Sequence, residues 1–210
     1  MLKRILACCL IAIVLVTGFA AQFVYAATDS YDAATVAKVM AKTDVLSLKA
    51  KGSVLIDCST GSVLVENKSH DKLPIASVTK IMTMLLIMEA IDSGKLNYDD
   101  KVPVSENSFK MGGTQVWLEP GEEFTVDEML KAIAIRSAND CAVAMSEKVA
   151  GSEETFVALM NQRAKELGMN DTNFLDCTGL TDEGHYSSAN DVAIMSRELK
   201  IGRASCRERV

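Results

Sequence analysis

The strongest helical pattern in the chain is Ile75-Ala-Ser-Val-Thr-Lys-Ile-Met-Thr-Met-Leu-Leu-Ile-Met-Glu-Ala-Ile-Asp-Ser93. Pro74 precedes it and Gly94 follows it. Proline interrupts regular structure, and glycine often ends a helix. Apolar residues occupy nearly every side of the predicted helix, which is typical of a buried helix. We therefore predict that residues 75–93 form a helix inside the hydrophobic core.

A serine and a lysine three residues apart open this helix, Ser77 and Lys80. Positions three apart share one helix face, so the Lys80 amine is expected beside the Ser77 hydroxyl. A serine becomes a good nucleophile when a base takes its proton, and a lysine whose pKa is lowered by burial can be that base. Free N–H groups at the first helical turn would favour negative charge on a reacting oxygen. The alternative is that Ser77 only caps the helix.

The same S-x-x-K spacing also occurs at Ser69 and Lys72. That copy lies in a polar loop before Pro74, whereas Ser77 opens an apolar helix that gives a serine a rigid, dry position. Of the two copies, Ser77 is therefore the better candidate for a nucleophile, with helix capping as its alternative role.

A second candidate motif is Ser137-Ala138-Asn139, between two predicted helices. A hydroxyl and an amide at such a junction could relay a proton and hold a substrate carbonyl. The alternative is that both residues cap the second helix. The S-x-N pattern recurs at Ser105 and at Ser188, and Ser188 is interpreted as a helix cap.

The remaining pattern is a hairpin followed by several helices. Two β-rich runs around a glycine-containing turn predict the hairpin, and capping residues predict the helix starts. No strand–helix–strand repeat is visible, so a parallel sheet is not expected. The predicted elements are the strands at 53–57 and 62–66, a helix opened by the capping box Thr125–Glu128, and helices at 139–149, 153–167 and 189–199.

The first 26 of the 210 residues have the layout of a secretory signal peptide. Lys3 and Arg4 precede the apolar run Ile5–Phe19, and Val24-Tyr25-Ala26 supplies small residues for cleavage after Ala26. The alternative is an uncleaved membrane anchor, for which the apolar run is short, because a spanning helix needs about 20 residues. The length allows one domain, or one domain and part of another.

Charge and cysteine content exclude several classes of function. Without residues 1–26 and 201–210, the chain has 17 basic and 27 acidic residues, so no nucleic-acid partner is expected. Six cysteines without a C-x-x-C pattern indicate no zinc site. Cys58, Cys141 and Cys177 are interpreted as small buried thiols, although one disulfide among them is an alternative. His70 and His185 lack neighbours at metal-ligand spacing, so surface or hydrogen-bonding roles are expected.

Together these motifs resemble those of the D-alanyl-D-alanine carboxypeptidases, which are low-molecular-mass penicillin-binding proteins. S-x-x-K followed 60 residues later by S-x-N is the arrangement of penicillin-binding proteins and serine β-lactamases. The likeness runs from about residue 50 to residue 200. Its further motifs are Met111–Gly121, Thr125–Leu130, Ser137–Ala142, Phe156–Met169, Gly179-Leu180 and His185–Ala189.

The resemblance implies an α+β fold of the β-lactamase/transpeptidase type, in which an antiparallel sheet packs with a helical cluster. It implies that Ser77 is the acylated nucleophile, Lys80 its general base, Ser137 a proton shuttle and Asn139 a ligand for the substrate amide. The implied substrate is the D-Ala-D-Ala end of the peptidoglycan stem peptide outside the cell membrane. β-Lactams would acylate the same serine, no metal or organic cofactor is implied, and membrane association of the full-length protein is compatible with the family.

The chain also departs from the family pattern. The third family motif, K-T-G, does not occur in the 210 residues, and Ile201–Val210 is basic and unlike the preceding sequence. We therefore expect residues 27–200 to be the N-terminal part of the catalytic domain, in a truncated product with a non-native tail at 201–210. The alternatives are a class A-like β-lactamase, a non-catalytic penicillin or peptidoglycan sensor, and an inactive fragment. The segment Asn170–Thr178 contains no glutamate, which argues against the β-lactamase.

Overall fold

The computed structural model describes residues 48–181 and 183–201, which form short antiparallel strand pairs and a cluster of helices. This is the predicted α+β arrangement. A single 3₁₀ turn, Ala76–Thr79, precedes the first α-helix. The strands are β1 Ser53–Ile56, β2 Val63–Asn67, β3 Lys101–Pro103 and β4 Glu123–Thr125, and the helices are α1 Lys80–Asp92, α2 Glu106–Phe109, α3 Val126–Arg136, α4 Asn139–Ala150, α5 Glu153–Glu166 and α6 Ala189–Ile201.

The predicted N-terminal hairpin is confirmed. Strands β1 and β2 pair antiparallel, with Ser53 opposite Asn67 and an irregularity between Leu55 and Ile56. The guanidinium of Arg197 on α6 donates to the Cys58 carbonyl at 2.9 Å, so the hairpin turn is fastened to the last helix. The pair β3–β4 was not predicted, because strands of three residues are too short to show an alternating pattern.

Helix α1 is the centre of the core, as predicted. It packs against α3, α4, α5 and α6. Met82 and Ile87 on opposite sides of the helix are fully buried, which agrees with an apolar surface that runs nearly all the way round. The predicted start of this helix is wrong. The α-helix begins at Lys80 and not at Ile75, so Ser77 lies in the 3₁₀ turn before it.

The other helix boundaries agree closely with the sequence. Thr125 and Glu128 form the predicted capping box, with Glu128 N–H donating to Thr125 Oγ1 at 3.2 Å. The hydroxyl of Ser188 accepts from the Asp191 N–H at the start of α6, which confirms Ser188 as a helix cap. Helix α2 was missed, and Ser105 caps it.

The three central cysteines, Cys58, Cys141 and Cys177, are free thiols, as favoured from the sequence. Cys141 and Cys177 are buried as predicted, whereas Cys58 is only half-buried, so the prediction of a buried thiol is wrong at that position. The predicted signal peptide at 1–26 and residues 202–210 lie outside the described residues. Within the described residues, none of the helices has the length and apolar character needed to cross a membrane.

Candidate active site

A tight turn brings Ser77 and Lys80 together. In a 3₁₀ turn, side chains three residues apart eclipse each other. The Nζ of Lys80 accordingly lies 3.3 Å from Ser77 Oγ and donates a hydrogen bond to it. Ser77 is exposed, whereas Lys80 is only 3% exposed. Thr79 and not Ser77 occupies the N-cap position of α1, so capping does not account for the Ser77 hydroxyl.

The environment of Lys80 makes its amine easier to deprotonate than a lysine amine in water. Burial lowers the pKa of the Lys80 ammonium, and the negative charge of Asp176 opposes this only in part. Its second hydrogen bond, 2.8 Å to the Thr178 carbonyl, fixes the amine below the serine hydroxyl. A lysine in this position can take a proton from Ser77 Oγ at neutral pH more readily than a lysine in water.

The segment of residues 174–181 forms the wall of the site beside Lys80, and Asp176 organises it. The carboxylate of Asp176 accepts from the backbone N–H groups of Thr178, Gly179 and Thr181 and from the Thr178 hydroxyl. Burial would raise the pKa of Asp176, but these hydrogen bonds lower it overall. The sequence analysis missed Asp176, although Asp followed closely by Thr and Gly is typical of a turn closed by its own side chain.

The 174–181 segment touches the turn of Ser77 through a glycine. Gly179 has φ +84°, and a Cβ atom there would lie 1.9 Å from the Ala76 carbonyl oxygen. Only glycine permits this approach. Ala76 itself has φ +44°, which is unusual for a residue with a side chain.

Ser137 and Asn139 lie at the predicted junction between α3 and α4. Ser137 ends α3 in the left-handed conformation, with φ 56° and ψ 36°. The N-cap position of α4 is Ala138, without a side-chain cap, so neither Ser137 nor Asn139 has the capping role considered above. The Asn139 amide nitrogen donates to the Gly112 carbonyl at 2.8 Å. Its Oδ1 is buried and has no hydrogen-bond partner among the described residues.

The Gly112-Gly113 loop lies between Asn139 and the 174–181 segment. A Cβ on Gly113 would lie 2.7 Å from Asn139 Nδ2 and 3.2 Å from Leu180 Cδ2, so this loop fits between α4 and the 174–181 segment. In the described part of the chain, neither Ser77 nor Lys80 hydrogen-bonds to Ser137 or Asn139. The structure therefore pairs Ser77 with Lys80 directly and connects them to Asn139 through neighbouring loops.

The second S-x-x-K copy has a different environment. The Ser69 hydroxyl donates to the Glu66 carboxylate at 2.6 Å, and the Lys72 ammonium lies 5.1 Å from the centroid of the Tyr186 ring. Both side chains are therefore engaged elsewhere, which agrees with the choice of Ser77. Residues 48–181 and 183–201 contain no cluster of three His, Cys, Asp or Glu side chains that could hold a metal ion.

Comparison with known proteins identifies the family of this chain. The sequence profile described as D-alanyl-D-alanine carboxypeptidase matches residues 36–205. D-alanyl-D-alanine carboxypeptidase DacF of Bacillus subtilis is 52% identical over 198 residues, which cover 94% of this chain and 48% of DacF. Penicillin binding protein 6B of Escherichia coli superposes with a TM-score of 0.70 at 33% identity, over 72% of this chain and 50% of that protein. Penicillin-Binding Protein D2 of Listeria monocytogenes, solved in an ampicillin-bound form, gives a TM-score of 0.66 at 28% identity, over 76% of this chain and 64% of that one.

The fold is therefore that of the penicillin-binding proteins, and the predicted β-lactamase/transpeptidase-like class is confirmed. The chain belongs to the D-alanyl-D-alanine carboxypeptidase family. It spans about half the length of the curated relatives that it matches.

Proposed function

We propose that this chain is the part of a serine-type D-Ala-D-Ala carboxypeptidase that carries the nucleophile and its base. The observation that supports this most directly is the exposed Ser77 hydroxyl 3.3 Å from the buried amine of Lys80. The family membership of the chain agrees with that role. The substrate would be a peptidoglycan stem peptide, from which the terminal D-alanine is removed.

The proposed reaction has two steps. Neutral Lys80 takes the proton of Ser77 Oγ as that oxygen attacks the carbonyl carbon of the penultimate D-alanine. The peptide C–N bond then breaks, and the departing amine receives a proton through Ser137. Water hydrolyses the resulting ester and restores the Ser77 hydroxyl. The backbone N–H of Ser77 would supply one donor for the oxyanion.

Asn139 is proposed to bind the amide of the substrate. Its buried Oδ1 is an acceptor without a partner among the described groups, and such an atom is costly unless a donor reaches it. A substrate N–H would satisfy it once the bound substrate displaces the groups that cover this atom, while the hydrogen bond from Nδ2 to Gly112 keeps the side chain in place.

The hydrogen bonding of Asp176 favours a carboxypeptidase over a β-lactamase. Class A β-lactamases use a glutamate carboxylate to activate the water that hydrolyses the penicilloyl ester. Asp176 is the carboxylate of the 174–181 segment, and its oxygens already accept four hydrogen bonds. We therefore expect penicillin to acylate Ser77 and to leave slowly. With nitrocefin, a stable acyl-enzyme is the expected result, and rapid turnover would favour the β-lactamase.

The two S-x-x-K copies provide a matched test of the nucleophile. In the intact protein expressed from its gene, Ser77→Ala should abolish covalent labelling by a fluorescent penicillin. Ser69→Ala removes the equivalent hydroxyl of the other copy and should leave labelling unchanged. Lys80→Met should slow labelling by about 10²–10⁴-fold, because a general base is removed. Equal labelling of Ser77→Ala and the unsubstituted protein would exclude this function.

We also propose that residues 1–26 direct export and that cleavage follows Ala26. The basic start, apolar run and small residues of this segment support the proposal. The enzyme would then act at the outer face of the cell membrane, where its substrate lies. N-terminal sequencing of the mature protein should begin at Ala27, and a retained Met1 would contradict cleavage.

A further inference from the structure

His185 is a buried histidine that contacts the turn containing Ser77 through the hydroxyl of Thr79. It is 2% exposed, and its Nε2 lies 2.7 Å from the hydroxyl of Thr79, which is fully buried. That hydroxyl donates in turn to the Ala76 carbonyl at 2.7 Å. On the other side of the ring, the Leu175 N–H donates to His185 Nδ1 at 3.1 Å.

These contacts define the protonation state of the ring. Because Nδ1 accepts the Leu175 N–H, it carries a lone pair, and the proton of the neutral imidazole is on Nε2. Nε2–H then donates to Thr79 Oγ1, whose own hydrogen is directed to the Ala76 carbonyl. Every donor in this chain of three hydrogen bonds meets an acceptor only when His185 is neutral.

The chain of hydrogen bonds ends at the strained residue of the site. Ala76 has φ +44° and directly precedes Ser77. Its carbonyl is also the atom that Gly179 approaches, and a Cβ at Gly179 would lie 2.8 Å from Thr79 Oγ1. A conformation of this kind persists only when its surroundings hold it. His185 and Thr79 therefore connect the 174–181 segment to the turn that presents the nucleophile.

We propose that His185 and Thr79 are positioning residues, which hold the Ala76 carbonyl so that Ser77 stays in line with Lys80, and that only the neutral imidazole does this. The proposal concerns the same site and rests on the proposed function for its kinetic consequences. Neither residue contacts the reacting atoms; both act through the backbone of the 3₁₀ turn.

Protonation of His185 would break the arrangement at a defined point. A proton on Nδ1 would face the Leu175 N–H, so two donors would oppose each other. Among the described residues, the charged group facing the ring is Asp176, whose Oδ2 lies 3.8 Å from Nδ1; the edge of the Phe174 ring and the Thr79 hydroxyl complete its surroundings. The neutral ring forms no ion pair with Asp176, whereas a proton on Nδ1 would lie within ion-pair distance of that carboxylate. Burial lowers the pKa of His185, and Asp176 partly opposes this, so the neutral form is favoured at neutral pH.

Two pairs of substitutions separate positioning from general destabilisation. His185→Gln places an amide at the position of Nε2 and keeps a donor to Thr79, whereas His185→Asn places its amide near Nδ1 and loses that donor. Thr79→Ser keeps the hydroxyl, whereas Thr79→Val removes it. We expect labelling of the intact protein by a fluorescent penicillin to slow about three- to tenfold in the Asn and Val variants, the effect of one lost hydrogen bond. The Gln and Ser variants should stay within about twofold of the unsubstituted protein. Equal rates within both pairs would overturn the proposal.

A spectroscopic measurement tests the proposal without any reaction. In the ¹⁵N NMR spectrum of the histidine-labelled protein, His185 should show the proton on Nε2 at neutral pH. On acidification, the amide resonances of Ser77 and Val78 should shift with the titration of His185, and this shift should disappear in Thr79→Val. A proton on Nδ1, or amide resonances of Ser77 and Val78 that do not shift with the titration of His185, would contradict the inference. If the unsubstituted protein is not acylated at all, the proposed function fails, while this spectrum still decides the role of His185.

Discussion

Substitution of Asp176 tests how the wall of the site is held. Its carboxylate accepts three backbone N–H groups and one hydroxyl, from Thr178, Gly179 and Thr181. Asp176→Ala leaves three backbone donors without an acceptor. Each unpaired buried donor costs about 1–3 kcal/mol, but the Asp176 side chain retains 14% exposure, so water can satisfy part of the loss. We expect the free energy of unfolding to fall by about 3 kcal/mol, which corresponds to roughly 6–12 °C in Tm for a chain of this size.

Asp176→Asn should cost less, about 1–2 kcal/mol, because one oxygen remains and an NH₂ group replaces the oxygen that Thr181 N–H approaches. Asp171→Asn is the matched control. Asp171 pairs with the exposed His70 at 2.9 Å, and such surface pairs contribute about 0–1 kcal/mol. Urea unfolding followed by far-UV circular dichroism measures all three variants. Equal losses for Asp176→Asn and Asp171→Asn would refute the structural role of Asp176.

The same comparison has a defined pH dependence. The folded-state pKa of Asp176 is lowered, so its carboxylate stabilises the fold fully above the unfolded-state pKa of about 4. This contribution is lost as the pH falls through the folded-state pKa. The difference in stability between the unsubstituted protein and Asp176→Asn should therefore be constant near neutral pH and shrink below about pH 4. A difference that grows on acidification would contradict the assigned hydrogen bonds.

Two further predictions concern the loops around the site. Gly179→Ala should prevent penicillin labelling and destabilise the fold by more than about 3 kcal/mol, because its Cβ would overlap the Ala76 carbonyl. Gly168→Ala is the control: this glycine has φ +78° and nothing within 4 Å of its Cβ, so the substitution should cost only about 1 kcal/mol in the same unfolding assay. The buried carboxylate of Asp140 accepts hydrogen bonds from the backbone N–H groups on both sides of Trp117, the single tryptophan of the chain. Asp140→Ala removes these hydrogen bonds, so the fluorescence anisotropy of Trp117 should fall. An unchanged anisotropy would show that Asp140 does not order this loop.

The sequence predicted those parts of the fold that depend on local patterns. The hairpin, the buried helix α1 and the capping box at Thr125 follow from periodicity and from residues with strong preferences for helix ends. Ser77 and Lys80 were correctly predicted to lie side by side, because residues three apart lie on the same side of both an α-helix and a 3₁₀ turn. The start of α1 was misplaced because the turn contains Ala76 at φ +44°. The residue that packs against the Ala76 carbonyl, Gly179, lies about a hundred positions further along the chain.

The contacts that the sequence did not reveal join residues that lie far apart along the chain. His185 touches Thr79 across 106 positions, and Lys80 reaches the Thr178 carbonyl across 98. A backbone carbonyl has no sequence signature, and a lone histidine without metal-binding neighbours indicates only a hydrogen-bonding role. The buried, unpaired Oδ1 of Asn139 likewise becomes visible only when the loops around it are in place.

The central claim is that the amine of Lys80 makes the neighbouring Ser77 the single reactive hydroxyl. Trypsin separates the two candidates, because cleavage after Lys68, Lys72 and Lys80 places Ser69 in peptide 69–72 and Ser77 in peptide 73–80. After incubation with penicillin at neutral pH, mass spectrometry should find the added mass of the antibiotic on peptide 73–80, at Ser77. An adduct on peptide 69–72, or an unmodified peptide 73–80 in a protein that is otherwise labelled, would contradict the account.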